Sequence, residues 1–286
     1  MFIAMTFMTR RSFVVGTAGA LGAAAAGDAF LVEPTALDVS RHNIVVPGLP
    51  PGLEGVRIAC LTDVHLGGGV SPAARAALEV LARERPDVVL LSGDICNHHE
   101  DLPTLVAWAR EARGTAATFA TLGNWEHDAG VDRATGERVY GQAGVELLYN
   151  STGRVSVRGA TLSVVGLDDP VRGRPDVGAA LSRLPHADPT VWVLHAPGFV
   201  DGVSRDTYPV PVAIFAGHTH GGQIRLPFWT PYTPTGSGRF VAGWYRDTYS
   251  GANVSRYVSR GIGTITLRAR FCCPPELPLF TLRRAL

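Results

Sequence analysis

Residues 56–65, VRIACLTDVH, form an apolar run that ends in the polar residues Asp63 and His65. A short run of aliphatic, mostly β-branched residues is typical of a strand that is buried on both faces. Because the same pattern occurs five times, the sequence predicts five buried strands, each followed by residues that can carry chemistry. The other four runs are residues 88–91 before Asp94, 116–122 before Asn124, 191–194 before His195, and 212–216 before His218 and His220.

The spacing of the first three runs indicates how they are connected. The steps from Asp63 to Asp94 and from Asp94 to Asn124 are each about 30 residues, which is the length of a βαβ unit. Helices are predicted between them at residues 72–85 and 102–113. Parallel strands joined in this way end at one edge of a sheet, where the sites of α/β proteins form. We therefore expect the polar residues to converge in space.

The second half of the chain has a different sequence pattern. From Gly144 onward, short alternating segments with tight glycine turns predict a second, mixed sheet. Residues 226–245 form a loop rich in proline, glycine and aromatic residues, and loops of this length are usually functional. Because no linker or repeat is recognisable, residues 28–286 are predicted to be one domain. The short segments are residues 155–157, 161–166, 254–258, 264–267 and 278–282.

Residues 1–27 are predicted to be an export signal. Arg10 and Arg11 precede an uncharged run at residues 14–26, and no acidic residue occurs before Asp28. This arrangement indicates the twin-arginine export machinery as a partner, and a final location in the periplasm or on the outer face of the cell envelope. The uncharged run is shorter than the about 20 residues of a membrane span. A frayed alanine-rich terminus and a short membrane anchor are the alternatives.

The composition excludes several classes of function. Of the 286 residues, 46% are hydrophobic, which is too many for a disordered chain and enough for a sizeable core. The net charge of +1 argues against a nucleic-acid partner, while peripheral association with the membrane or the cell wall stays open. All 26 cationic side chains are arginines, so a P-loop lysine and a Schiff-base lysine are ruled out.

Seven of the strand-end residues form a set that suits metal ions. They comprise two carboxylates, one amide and four of the nine histidines. Imidazole suits Zn, Fe and Mn, and the oxygen ligands keep the site open to harder cations. Seven ligands are too many for one tetrahedral ion but fit two, and two divalent ions are a known clamp for displacement at phosphorus. The candidate ligands are Asp63, His65, Asp94, Asn124, His195, His218 and His220.

In their order along the chain, these residues resemble the calcineurin-like metallophosphoesterases. The family pattern is Asp-x-His, Gly-Asp, Gly-Asn-His-Glu/Asp, a lone His and Gly-His-x-His. Each motif is short, but five in the same order are specific, and the similarity extends from about residue 33 to the C-terminus. The matching residues are 63–65, 93–94, 123–126, 195 and 217–220, and residues 217–225, 259–263 and 274–276 resemble the exported bacterial phosphodiesterase branch.

The resemblance implies a fold and a metal centre. The fold would be an α/β protein, a four-layer α/β/β/α sandwich of two mixed β-sheets, with the site at the C-terminal ends of strands. Two divalent ions, Mn, Fe or Zn, would hold a hydroxide between them for attack on phosphorus, and Asp94 would bridge them. The implied ligands are Asp63, His65, Asp94 and His220 for one ion, and Asp94, Asn124, His195 and His218 for the other.

One position departs from the family pattern. The family usually has a histidine directly after the asparagine, where it assists the leaving group, but here that position is Trp125. An indole cannot donate a proton in that role. Either His127 is the general acid, acting beside Asn124 in the catalytic machinery, or the substrate has a leaving group that needs little help. Nearby Asp168 and Asp169 are predicted to be turn residues or to orient a ligand histidine.

Three functions are consistent with the sequence. The first is a dinuclear-metal phosphohydrolase that cleaves phosphodiester or diphosphate bonds in a small-molecule or lipid-linked substrate of the cell envelope. A narrower alternative is a UDP-2,3-diacylglucosamine-type pyrophosphatase of lipid A synthesis, although export argues against a substrate made on the cytoplasmic side. The third is a non-catalytic, metal-dependent binding module that has lost its acid at Trp125.

Overall fold

Two six-stranded mixed sheets face each other in the computed structural model, which describes residues 10–185, 187–203, 209–249 and 252–285. Residues 1–9 of the predicted export signal therefore lie outside the described residues. The strands are β1 Asp38–Val46, β2 Arg57–Leu61, β3 Val88–Ser92, β4 Ala117–Thr121, β5 Glu146–Leu147, β6 Ser151–Val157, β7 Ala160–Gly166, β8 Thr190–Val193, β9 Ala213–Ala216, β10 Gly243–Tyr249, β11 Ala252–Val258 and β12 Glu276–Arg284.

The two sheets have related topologies. The first has the order β1-β12-β2-β3-β4-β5, and the second has the order β10-β11-β9-β8-β7-β6. In the first, β2, β3, β4 and β5 are parallel and β12 is antiparallel to β2. In the second, β7, β8, β9 and β11 are parallel, and β6 and β10 are antiparallel to their neighbours. All five strands predicted from the apolar runs are confirmed.

Successive side chains along each strand point to opposite faces of the sheet, so each sheet packs against one layer on either side. On β2, Ile58 points to the space between the sheets, where it joins a core with Phe119 and Phe215. Its neighbour Ala59 points the other way and joins a core with helical residues such as Trp108. A third cluster covers the outer face of the second sheet. The helices are α1 Arg10–Gly27, α2 Pro72–Glu84, α3 Leu102–Glu111, α4 Asn124–Asp128, α5 Arg133–Gln142 and α6 Val177–Leu181.

The predicted four-layer α/β/β/α sandwich is confirmed. Helices α2, α3 and α5 lie against the first sheet, and α6 lies against the second. The bounds of α2 have local causes. The Ser71 hydroxyl accepts from Ala74 N at 3.1 Å, and Pro72 opens the helix. At the other end, Arg85 adopts the left-handed conformation that stops a helix.

The strand predicted at residues 264–267 is wrong. Its alternating Thr-Ile-Thr-Leu pattern suits a strand, but the side chain of Gln223 takes its backbone hydrogen bonds. Gln223 Oε1 accepts from Ile265 N at 2.9 Å, and its Nε2 donates to the carbonyls of Ile265 and Leu267 at 3.1 and 2.8 Å. This segment is therefore a loop, held by one carboxamide instead of a neighbouring strand.

The N-terminal segment is helical, and most of the side chains that the structure describes there are exposed, although Ala29 is buried. Although the uncharged run at residues 14–26 is shorter than a membrane span, helical turns continue beyond α1 through Asp28 to Thr35. The whole segment Phe13–Thr35 has 23 residues and is long and apolar enough to cross a membrane, by length and composition only. A signal sequence has the same properties, so export and the boundary at residue 27 stay predictions.

Candidate metal centre

The polar residues that follow the parallel strands of both sheets converge. Asp63 and Asp94 lie two residues beyond β2 and β3, and Asn124 begins α4 just after β4. His195 and His218 lie two residues beyond β8 and β9. Both sheets therefore direct the carboxyl ends of their central strands to one place, as expected for an α/β site.

Three residues form the first cluster, which is buried. Asp63 Oδ1 lies 3.3 Å from His220 Nε2, and His220 Nε2 lies 3.1 Å from His65 Nε2. Each of the three residues contributes one ligand atom, and these atoms all lie within 4.8 Å of one another. Trp125, which replaces the family histidine, packs edge-on against His65 with ring centroids 5.3 Å apart.

The second cluster is also buried and consists of Asp94, His195 and His218. His195 Nε2 lies 3.0 Å from Asp94 Oδ2 and 3.1 Å from His218 Nδ1. Asp94 Oδ1 accepts from the backbone N–H of Trp125 at 2.8 Å, which leaves Oδ2 facing the histidines. As in the first cluster, one ligand atom from each residue lies within 4.8 Å of the other two.

The two clusters adjoin. Asp94 Oδ2 lies 3.9 Å from His65 Nε2, so one oxygen faces nitrogens of both clusters. Asp63 Oδ1 is 4.0 Å from His195 Nε2. Asn124 belongs to neither group of three, but its Oδ1 is buried and has no hydrogen-bond partner among the described residues. A buried acceptor of this kind needs a donor or a cation.

The outer hydrogen bonds of the histidines determine which nitrogen holds a proton. His195 Nδ1 lies 2.8 Å from Ser92 O, and His218 Nε2 lies 2.8 Å from Thr235 O. His65 Nδ1 lies 2.7 Å from Asn97 Oδ1. Because these oxygens only accept, the outer ring nitrogens donate, and in the neutral form of each ring the inner nitrogen carries a lone pair. Lone pairs that face one another beside two carboxylates fit metal cations.

Electrostatics favours neutral rings at two of these histidines. Burial lowers the pKa of His220 well below its usual value, and nearby His65 and Arg270 lower it further. Burial and His195 likewise lower the pKa of His218. At His195, burial opposes the charge, but Asp94 and Asp63 raise the pKa well above its usual value. A proton and a cation therefore compete for His195 Nε2.

Comparison with known proteins identifies the family. The sequence pattern of the calcineurin-like phosphoesterases matches residues 56–222, which is more than half of the chain. The chain belongs to this family. Together with the two buried clusters, this membership makes it a metal-dependent phosphoesterase, in agreement with the sequence analysis.

Three relatives are similar to this phosphoesterase over most of its length. The metallophosphoesterase YkuE of Bacillus subtilis is 30% identical, over 98% of this chain and 99% of its own. The phosphodiesterase YaeI of Escherichia coli is 25% identical, over 96% and 99%. The UDP-2,3-diacylglucosamine pyrophosphatase LpxG of Chlamydia trachomatis is 26% identical, over 87% and 90%.

The backbone of this phosphoesterase is strained at the centre. Five of the seven candidate ligands have positive φ values, from 51° to 70°, although none is a glycine. Such conformations are uncommon for residues with side chains and cluster at functional sites. Backbone hydrogen bonds hold two of them, since Asp63 N donates to Gly93 O at 3.0 Å and His65 N donates to Asp94 O at 3.1 Å. The five residues are Asp63, His65, Asp94, His218 and His220.

Glu126 holds the loop that carries Asp94, a role that the sequence analysis missed. Its buried carboxylate accepts from the backbone N–H groups of Asp94 at 2.8 Å and of Gly123 at 2.9 Å. It also accepts from Ile95 at 2.6 Å and from Cys96 at 3.2 Å. The only signal in the sequence was its place in the third motif, which gives no indication of these backbone contacts.

His127 lies outside both clusters and pairs with Asp168. His127 Nε2 is 2.7 Å from Asp168 Oδ1, and the ring is mostly buried. Asp168 therefore contacts this histidine instead of orienting one of the candidate ligands. Burial opposes a charge on His127, but the hydrogen bond and charge of Asp168 outweigh it and raise the pKa of His127.

The segment predicted as a long loop, residues 226–245, ends in strand β10, and its aromatic residues have different environments. Trp244 packs against His42, Tyr257 and Phe280, and the Tyr245 hydroxyl accepts from the Val241 N–H at 2.9 Å, so both serve packing. By contrast, the side chains of three others face solvent. The exposed residues are Phe228, Trp229 and Tyr232.

Proposed function

We propose that the chain is a dinuclear-metal phosphohydrolase that cleaves phosphodiester or diphosphate bonds. The observation that carries this proposal is the pair of adjoining buried clusters, in which histidine lone pairs and carboxylates face one another. One ion would be held by Asp63, His65, Asp94 and His220. The other would be held by Asp94, Asn124, His195 and His218, with Asp94 shared between them.

The residues around the ions prepare the site. When bound, two divalent ions neutralise charge on phosphoryl oxygens and lower the pKa of water. Ser92 O and Thr235 O fix the rings of His195 and His218 through their outer nitrogens, so these rings need not reorient when a substrate binds. Asn124 Oδ1, which lacks a protein partner among the described residues, supplies a further neutral ligand.

The relatives support a substrate in which phosphorus carries two ester or anhydride links. One is named a phosphodiesterase and another a pyrophosphatase of a nucleotide-linked lipid. The apolar segment Phe13–Thr35 supports export and therefore a cell-envelope substrate. The LpxG-type pyrophosphatase remains the narrower alternative. The complete set of candidate ligands favours hydrolysis over a non-catalytic binding module.

Removal of metal should abolish hydrolysis. We expect chelator-treated protein to lose turnover of bis(p-nitrophenyl) phosphate, because the phosphoryl charge would no longer be neutralised. Separate addition of Mn, Fe or Zn should restore it and identify the effective metal. Circular dichroism of the treated protein checks that the fold persists. Equal turnover before and after depletion, with metal analysis showing none left, would contradict the proposal.

His127 is the proposed general acid, and Asp168 keeps it protonated. We expect His127→Ala to lower kcat for an alkyl phosphodiester about 10²-fold or more, since general-acid help is typically of that size. The loss should be far smaller for a nitrophenyl ester, whose leaving group needs no proton. An equal loss on both substrates would remove the assignment.

The Asp168→Asn variant tests the same pair through pH. Because Asp168 raises the pKa of His127, its loss should lower that pKa, so the acid is deprotonated at lower pH. The alkaline limb of the kcat profile for the alkyl ester should move to lower pH accordingly. An unchanged limb would show that His127 does not supply the proton.

A further inference from the structure

Six exposed apolar side chains, called here the apolar rim, lie on three segments of the chain. Backbone hydrogen bonds tie these segments together. Arg270 N donates to Ala29 O at 2.9 Å, and Arg225 N donates to Phe271 O at 2.8 Å. The segments are therefore neighbours, although they are far apart in sequence. The apolar rim consists of Phe30, Leu31, Leu226, Phe228, Trp229 and Leu267.

The tip of the rim is a two-residue turn. Leu226 and Trp229 exchange backbone hydrogen bonds of 2.9 and 3.1 Å across Pro227 and Phe228. Phe228 has a φ of 67°, a conformation for which turns normally select glycine, and its side chain is fully exposed. An aromatic residue that is both strained and exposed adds nothing to the packing of this chain. This placement indicates contact with something outside it.

The rim begins on the apolar N-terminal segment and borders a cavity beside His65. Phe30 and Leu31 belong to the segment Phe13–Thr35, which is long and apolar enough to cross a membrane. Phe30 also lines a cavity of about 330 Å³ whose wall includes His65 and Arg268. If that segment entered a bilayer, the apolar rim that continues from it would lie next to lipid.

Two arginines accompany the rim. Arg225 directly precedes Leu226, and Arg268 directly follows Leu267. Within the part of the chain that the structure describes, neither guanidinium forms an ion pair with a carboxylate. Arginines beside exposed tryptophan and phenylalanine match the two layers of a bilayer surface, anionic phosphates and apolar chains. A soluble protein partner would not require this continuity with the N-terminal segment.

We propose that the apolar rim is a membrane-docking surface that rests on an anionic bilayer, so that the cavity beside His65 opens at the level of the lipid headgroups. Phe228 and Trp229 enter the interface, and Arg225 and Arg268 bind lipid phosphates. The substrate would then be an amphiphilic phosphoester presented by the membrane. That consequence rests on the proposed phosphohydrolase function, whereas docking itself does not.

Tryptophan quenching tests the docking surface. The full chain is reconstituted in vesicles of equimolar phosphatidylcholine and phosphatidylglycerol, with bromine atoms on the acyl chains, which quench tryptophan emission at short range. Because the segment Phe13–Thr35 contains no tryptophan, its own insertion is silent. We expect Trp229→Phe to remove most of the quenching seen in the parent protein. The Trp244→Phe change, at a half-exposed tryptophan outside the rim, should retain it.

A second variant keeps the reporter. With Trp229 intact, Leu226→Ser combined with Phe228→Ser should reduce quenching at least twofold, while Val45→Ser, at an exposed apolar residue on β1, should leave it unchanged. Equal quenching in the parent and in Trp229→Phe would overturn the proposal. Hydrolysis of bis(p-nitrophenyl) phosphate is measured on the same vesicles. If the protein is quenched but does not hydrolyse this ester, only the proposed phosphohydrolase function is contradicted. If it hydrolyses the ester but is not quenched, only the proposed docking surface is contradicted.

Discussion

The Asp94→Asn variant should lose both metal binding and hydrolysis. Asp94 Oδ2 lies 3.0 Å from His195 Nε2 and 3.9 Å from His65 Nε2, so this one oxygen faces both clusters. An amide has nearly the same shape as a carboxylate but no charge. The variant would therefore lack the negative charge that the two cations would share. Mutation of a residue that only hydrogen-bonds to a metal ligand typically lowers metal affinity or activity about 10- to 100-fold. Because Asp94 is itself a candidate ligand for both ions, we expect turnover to fall by about 10³-fold or more.

Metal content separates this effect from a change in fold. We expect mass spectrometry to find fewer ions per chain in Asp94→Asn than in the parent protein. Asp128→Asn is the matched control, because Asp128 is half-exposed and pairs with Arg172 at 3.0 Å on the surface, where such pairs contribute little. If Asp94→Asn kept the parent's metal content and turnover while remaining folded, the shared metal centre would be wrong.

The prediction of the fold rested on two patterns. Short aliphatic runs marked the buried strands, and the step of about 30 residues between Asp63, Asp94 and Asn124 marked βαβ units. Strand β1 was missed because Asp38–Val46 is an edge strand, polar and exposed for much of its length. The pattern at residues 264–267 misled because it does not reveal that Gln223 would take the backbone hydrogen bonds.

The candidate site was predictable for a topological reason. Parallel strands end at one edge of a sheet, so residues after β2, β3 and β4 had to lie close together. That His195 and His218, from the second sheet, would meet them was expected because their runs end in the same pattern, whereas the assignment of each ligand to one of two ions was implied only by the family resemblance. The details that fix their chemistry depend on backbone atoms. Ser92 O orients His195 across 103 residues of sequence. Because every residue has a backbone carbonyl, the sequence does not reveal which carbonyl makes this contact.

Glu126 illustrates the same limit and leads to the second large effect. The Glu126→Ala variant should be severely destabilised, because it leaves four backbone N–H groups without an acceptor in a buried region. Each unsatisfied buried donor costs about 1–3 kcal/mol. Since water can enter the space and satisfy some of them, we expect a loss of about 3–5 kcal/mol in the free energy of unfolding.

Urea unfolding of metal-depleted protein measures this loss directly, because bound ions would stabilise the folded state and mask it. The Glu126→Gln variant is the conservative comparison. Its remaining oxygen can still accept two N–H groups, but its amino group would face the other two, so an intermediate loss is expected. If the free energy of unfolding of Glu126→Ala were within about 1 kcal/mol of the parent value, the carboxylate would not be what holds the Asp94 loop. In that case the strained conformation of Asp94, with its φ of 53°, would have to be maintained by its contacts with Trp125 N and His195.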